Sequence, residues 1–289
     1  MKQLNNKGFD YRIVSYEKIH SVTESDFTAL LGALEPKEGQ RIFEGCAGYG
    51  AVTERIFNLT QNLSNPPELF ILDESEAQLE RARQQLAIPA ENIIKGDIRF
   101  CPFEDNFFDT VVVKMGIHEI SFGEQKKAVR EIFRILKPGG KFVMWDLALD
   151  NETQPVFQDI MRKKNDLAGF EIINQNRYLQ SLDELHELYE VAGFERIEEV
   201  YSINHPVGTI DRLEELVSKD RKLISEEREV DPIDEIYLNM IAQMRLKLLN
   251  AYIRKRVPGH LKVRFQYQDF GNNINLTIPK MIMSGYKPK

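Results

Sequence analysis

The sequence predicts an α/β protein built on a doubly wound, mostly parallel sheet. Three observations carry this. Short apolar runs alternate with amphipathic segments from residue 41 to residue 203. The spacing between successive runs leaves room for crossover helices, which parallel neighbours require. A glycine-containing turn follows the first run, at the edge where such sheets bind ligands.

The elements follow in order. An aromatic-rich stretch, residues 9–34, leads into a helix with Thr23 or Ser25 as its cap and Phe27, Leu30 and Leu31 along it. Residues 36–40 form a turn. Residues 41–44 form a short buried strand, and residues 52–63 a helix. Residues 68–72 form a strand ending at Asp73. Ser75-Glu-Ala-Gln78 reads as a capping box, opening a helix with Leu79, Ala82 and Leu86 on one face. Residues 92–95 and 109–114 are strands. Residues 124–136 are a helix, with Ala128, Val129, Ile132, Phe133 and Leu136 facing inward. Lys137-Pro-Gly-Gly140 is the turn that ends it, and residues 141–147 are the next strand. A second capping box, Ser181-Leu-Asp-Glu184, opens a helix that Gly193 stops. Residues 194–203 are a strand.

The alternation then breaks. Residues 209–224 read as an amphipathic helix. Asp231 before Pro232 marks the start of another. Ile233, Ile236, Tyr237, Met240, Ile241, Met244, Leu248 and Tyr252 recur there at helical spacing. This stripe reads as core, with a homodimer surface or a substrate pocket as the alternatives. Residues 277–286 are a last strand. The chain therefore divides into an N-terminal helical or lid segment (1–35), a sheet core (36–204 and 275–289) and a mainly helical insertion (205–274).

Composition narrows the function. Of 289 residues, 42% are hydrophobic and 29% charged, enough for a sizeable core. Asp plus Glu total 45 against 38 Lys plus Arg, a formal net charge of −7, which disfavours a nucleic-acid partner or an anionic membrane. Two cysteines, Cys46 and Cys101, form neither a disulfide framework nor a four-ligand zinc site, so no metal is expected. The N-terminus has no apolar signal region, and no stretch approaches ~18 apolar residues. The expectation is a cytoplasmic protein.

The turn after the first strand reads Glu44-Gly-Cys-Ala-Gly-Tyr-Gly50. Gly48 and Gly50 permit a tight turn and close backbone approach to a ligand. A dinucleotide fingerprint needs a third glycine where Thr53 stands. Glu44 at the strand end would repel a pyrophosphate and attract a cationic ligand. Asp73 ends the second strand, where a carboxylate can accept ribose hydroxyls. Gly96-Asp97-Ile98 follows the third strand. Cys101-Pro-Phe-Glu-Asp-Asn-Phe-Phe-Asp109 and Leu136-Lys-Pro-Gly-Gly140 lead into the fourth and fifth.

In this order, these motifs resemble those of the class I S-adenosylmethionine-dependent methyltransferases, over residues 40–203 and the final strand. Cys46 stands where the family's first motif usually has its first glycine. The resemblance implies a seven-stranded Rossmann-like sheet with an antiparallel last strand. It implies S-adenosylmethionine as cofactor and S-adenosylhomocysteine as product. It places Glu44, Gly45, Gly48, Gly50, Asp73, Glu74, Asp97, Ile98 and Lys114 at the cofactor, with Asp97 near the adenine amino group and Ile98 against the ring.

Lys114-Met-Gly-Ile-His-Glu-Ile120 follows the fourth strand, in place of the Asn/Asp-Pro-Pro-aromatic motif of base and glutamine methylators. The pattern is nearer to the small-molecule group that includes the ubiquinone/menaquinone C-methyltransferases. The expected acceptor is an O, N or C atom of a small molecule. His118 is the candidate general base, since its intrinsic pKa is near neutral. Glu119 is next, then His20 and His205. Tyr11 and Tyr16 are candidates to close over a sulfonium. Arg254-Lys-Arg256 is either a solvated helix end or an attractor for an anionic substrate. The alternatives are a protein that binds the cofactor without transferring methyl, a nicotinamide-dependent oxidoreductase, and a methyltransferase acting on protein.

Overall fold

A computed structural model describes residues 7–11 and 22–289. Their contacts group into two compact units.

The first comprises Glu24–Ala148, Arg177–Ile203 and Lys280–Lys289. Its strands are β1 (Arg41–Gly45), β2 (Glu68–Asp73), β3 (Ile93–Lys95), β4 (Phe108–Lys114), β5 (Leu136–Leu147), β6 (Glu195–Ile203) and, at the end of the chain, β10 (Lys280–Tyr286). They form one sheet of order β3-β2-β1-β4-β5-β10-β6. β1 to β5 run parallel, and β10 pairs antiparallel with both β5 and β6. Val111, Val112 and Val113 are all fully buried, because helices cover both faces of a parallel sheet. Strand order reverses between β1 and β4, which opens a crevice at their carboxyl ends.

The helices of this unit are α1 (Glu24–Leu34), α2 (Ala51–Thr60), α3 (Glu76–Gln85), α4 (Phe122–Ile135) and, after the second unit's first segment, α6 (Leu182–Ala192). Ser75 caps α3 by accepting the Gln78 N–H, and Ser181 with Glu184 closes a capping box on α6. Phe103, Phe107 and Phe108 pack with Phe43 and Phe70 in one aromatic cluster. Asp109, at the end of the same run, accepts the Arg41 N–H and the Lys137 ammonium, each at 2.8 Å. The Pro-Phe…Phe-Asp run thus fastens β4 to its neighbours.

One expected turn is corrected. Lys137–Gly140 belongs to β5, which begins at Leu136 opposite Phe108. A register shift between Phe108 and Thr110, with Gly139 at φ 79°, lets the strand absorb this glycine pair.

The second unit comprises Leu149–Asn176 and Asn204–Pro279 with the described part of the N-terminus. It contains α5 (Thr153–Leu167), α7 (Leu213–Glu227) and α8 (Pro232–Arg256). Asp231 caps α8 by accepting the Ile233 and Asp234 N–H groups, with Pro232 at the first position, as the sequence predicts. Lys164 on α5 and Glu215 on α7 pair at 2.5 Å, both buried. A three-stranded antiparallel sheet of β7 (Pro206–Gly208), β9 (Ile274–Thr277) and β8 (Gln268–Asp269) completes it.

The contacts therefore divide the chain differently from the sequence reading. The helix at 24–34 belongs to the sheet unit, where Phe27 packs edge-on against Trp145 at 5.5 Å. Residues 149–176 group with the insertion. The single last strand is two, β9 and β10, in separate sheets. The helix expected at 209–224 begins with a 3-10 turn, Thr209–Arg212, and continues as α7. Of the stripe expected as core on α8, Ile241 and Tyr252 are half-buried and the other six are exposed, while Leu238, Ala242, Leu246, Leu249 and Ile253 form the buried face.

Candidate functional site

The carboxyl ends of β1, β2 and β4 gather the residues singled out by sequence. β1 ends at Gly45, and Cys46 then turns with φ 52°, Gly48 with φ 55° and Gly50 with φ 79°. All three lie in the left-handed region, which favours glycine. Cys46 sustains it without that advantage. The space beside Gly48 is open, whereas a Cβ on Gly45 would collide with Ile98, and one on Gly116 with Cys46. These contacts draw the loops after β1, β3 and β4 into one packed edge.

Glu44 is buried, and its Oε2 accepts the Thr53 N–H at 2.8 Å and the Thr53 hydroxyl at 2.7 Å. Burial raises its pKa above the usual carboxylate value, while the Thr53 hydrogen bonds and the Lys114 charge oppose this. The position of a third fingerprint glycine is thus filled by a side chain that locks the start of α2. Asp73 accepts the Gly48 N–H on Oδ2 and the Ser75 N–H on Oδ1, each at 2.8 Å. It shapes the glycine turn as well as presenting a charge. Glu74 beside it is exposed.

Asp97 is half-buried and accepts the Arg99 N–H and guanidinium. Ile98 is buried in the core between Gly45 and the neighbouring strands. The Lys114 ammonium lies 5.6 Å from the Phe27 ring and 5.5 Å from the Trp145 ring. Burial raises the Cys46 thiol well above its ordinary value, and the charges of Asp73, Glu74 and Asp97 add to that. Three carboxylates thus converge electrostatically on the turn. Their field, together with the open side of Gly48, suits a cationic ligand.

His118 lies in the 3-10 turn Ile117–Glu119 that follows β4. Its ring is buried between two carboxylates. Nδ1 is 2.5 Å from Asp146 Oδ1 on β5, and Nε2 is 3.3 Å from Glu119 Oε1. Burial opposes the charged ring, but Asp146 and Glu119 outweigh it and raise its pKa to about 9. Burial would likewise raise Glu119, but the charges of Arg177 and His118 hold it well below the carboxylate range. Arg177 pairs with Glu119 through Nε at 2.7 Å and through Nη2. The Tyr178 N–H donates to the His118 carbonyl at 2.9 Å. Two cations and two anions therefore form one neutral chain from β5 through the β4 loop to residue 177.

This arrangement bears on the role expected of His118. The two flanking carboxylates favour the protonated ring, and a ring protonated on both nitrogens has no lone pair for a general base. Asp146 and Arg177 were not among the sequence candidates. The one signal for Asp146 is a carboxylate inside the apolar run Phe142–Leu147, and Arg177 carries none. Tyr16 and His20 lie outside the described residues. Tyr11 packs against the cluster of Ala168, Phe170 and Ile173 in the second unit. His205 follows β6 and is half-buried. Arg254 pairs with Asp269 at 2.7 Å and Arg256 with Asp159 at 2.6 Å.

Comparison with known proteins converges on the same strands. Residues 45–144 match a family model described as a methyltransferase domain. The chain is 25% identical over 183 residues to the ubiquinone/menaquinone biosynthesis C-methyltransferase of Yersinia pestis, covering 56% of this chain and 68% of that protein. The fold is similar to that of the YcgJ protein of Bacillus subtilis, with a TM-score of 0.66, 14% identity, and coverage of 92% of this chain and 100% of that one. It is also similar to Haemonchus contortus phosphoethanolamine N-methyltransferase 2, solved with phosphomonomethylethanolamine and S-adenosylhomocysteine. That TM-score is 0.54 at 19% identity, covering 100% of this chain and 59% of the other.

Proposed function

Because this chain is a class I S-adenosylmethionine-dependent methyltransferase, we propose that it methylates an O, N or C atom of a small molecule. The observation that carries the reading is the ring of carboxylates on the glycine turn. Asp73, Glu74 and Asp97 act on a turn whose open side is a glycine with no Cβ, and Glu44 is buried at the end of the strand before it. These residues fit a ligand bearing sulfonium and ammonium charges. They do not fit a pyrophosphate, which like charges at the turn would repel. When bound, S-adenosylmethionine supplies an electrophilic methyl group.

The chain's own contribution is binding and positioning. Asp73 and Glu74 would hold the ribose side of the ligand by accepting its hydrogen bonds, and Asp97 would lie toward its base, with Ile98 packed behind. Gly48, with open space beside it, permits close backbone approach, while Gly45 and Gly50 make room for Ile98 and Leu86. Lys114, near Glu44, balances the charge behind the turn. His118 is a positioning residue. Its imidazolium ties the β4 loop to β5 through Asp146 and to residue 177 through Glu119 and Arg177.

Three facts support a small acceptor. The net charge of −7 disfavours nucleic acid. No helix among the described residues is long and apolar enough to cross a membrane. The Yersinia pestis relative is named for quinone biosynthesis. A cytoplasmic location accords with these. Incubation with methyl-labelled cofactor and a panel of phenols, amines, carboxylates and quinols tests the reading. Label is expected in one small-molecule class, in step with S-adenosylhomocysteine formation. Tight cofactor binding with no transfer to any class would favour a protein that uses the cofactor without moving its methyl.

A further inference from the structure

The 25-residue helix α8 is apolar on two opposite faces. Its inner face is buried in the second unit. Its outer face carries Ile233, Ile236, Tyr237, Met240, Met244 and Leu248, each between 49% and 75% exposed. A helix with one partner turns polar residues outward, and one that is apolar on both sides has a second partner to bury. At about 25 cal/mol per Å², the ~1.5–3 kcal/mol of burying one such side chain corresponds to about 60–120 Å², so the stripe offers roughly 400–700 Å². The upper end approaches the ~800 Å² per partner of a stable interface, and exceeds the ~300–600 Å² of the largest patch on a typical monomer.

Charge chooses the partner. Just before α8, at the end of α7 and in the connection, stand the exposed carboxylates Glu226, Glu227 and Glu229, with Arg228 among them. Toward its end stand the exposed ammonium groups of Lys247 and Lys255. Two such helices laid antiparallel bring each basic end to an acidic end, twice over, and oppose their dipoles favourably. A parallel pairing would set like charges together. We propose that the outer face of α8 is an isologous interface with a second copy of this chain. The twofold axis passes near Met240, with Ile233 against Leu248 and Tyr237 against Met244 of the other copy.

Sedimentation velocity on the full chain across a concentration series tests this. The wild type is expected to sediment as a dimer at micromolar concentration. The double variant Met240→Glu/Met244→Glu is expected to associate about 100-fold more weakly, as loss of central interface residues does, with unchanged circular dichroism and cofactor binding. Lys247→Glu/Lys255→Glu is expected to weaken the dimer about tenfold, a charge effect that salt reduces in the wild type. Met240→Cys is expected to form a disulfide-linked dimer on mild oxidation, and Ile233→Cys is not, with the native cysteines alone as control. A wild-type monomer at every concentration would overturn the proposal. So would a dimer that the glutamates leave intact, equal cross-linking at both cysteine positions, or a monomer that co-sediments with phosphatidylcholine/phosphatidylglycerol vesicles.

Discussion

His118 Nδ1 and Asp146 Oδ1 lie 2.5 Å apart in the interior, at the point where β5 meets the loop after β4. This contact makes stability depend on pH in a definite direction. The ring's pKa is about 9 in the folded chain and ~6.5 when unfolded. A pKa raised by folding contributes stability that is fully present below ~6.5 and is lost as pH rises through about 9. The thermal midpoint of the wild type should therefore fall between pH 7 and pH 10. His118→Gln should be less stable at pH 7 and should flatten that decline. A wild-type midpoint that is level across this range would show that the ring is neutral.

Replacing the acid tests the other half of the contact. Asp146→Asn leaves a buried imidazolium facing Glu119 alone. Removing one partner from such a pair costs on the order of 3 kcal/mol. Urea unfolding at pH 7 should show that loss, and the His118 ring should titrate at lower pH by NMR. If His118 positions the β4 loop, His118→Gln should lower kcat and leave cofactor affinity within a few-fold. Its residual rate should lack the decline above pH 9 that proton loss from His118 causes. A rate that rises in wild type as the ring loses its proton would restore the general base.

Cys46 and Gly116 make a second testable pair. A methyl group added at Gly116 would meet the Cys46 Cβ and Sγ and, less closely than the Cβ, Val113 Cγ1. Gly116→Ala should destabilise the fold by about 1–3 kcal/mol, the cost of overpacking, and should weaken cofactor binding. Adding Cys46→Gly removes the closest colliding atom, leaves Val113 Cγ1 at 3.0 Å, and suits φ 52°. The double variant should recover most of the lost binding in a titration. Equal defects in the single and double variants would mean that the loops do not depend on this contact.

Much of this was legible in the sequence. Alternating apolar runs announced the parallel strands, because a strand buried on both faces has to be apolar throughout. Ser75, Ser181 and Asp231 announced their helices, because capping is local chemistry. The glycine turn was legible for the same reason, since φ above zero favours glycine. What escaped was long-range. Arg177 meets Glu119 across 58 positions, and no local pattern marks that pairing. Asp146 meets His118 across 28 positions, and no local pattern in β5 marks that pairing. The α8 stripe had the right period but gave no sign of which face turns inward, since both faces are apolar. The small β7-β9-β8 sheet is assembled from strands of two to four residues, too short for any period to register.

The central claim is that the glycine turn and its carboxylates bind S-adenosylmethionine. Calorimetric titration of the full chain with S-adenosylhomocysteine, S-adenosylmethionine and NAD tests it most directly, with Asp73→Ala alongside. The account predicts one site for either sulfur ligand and none for NAD. It predicts at least a tenfold loss in Asp73→Ala, about 1.4 kcal/mol or more, since that variant loses the acceptor for the Gly48 N–H and a charge facing the ligand. Binding of NAD with no heat from either sulfur ligand, or full affinity in Asp73→Ala, would contradict it.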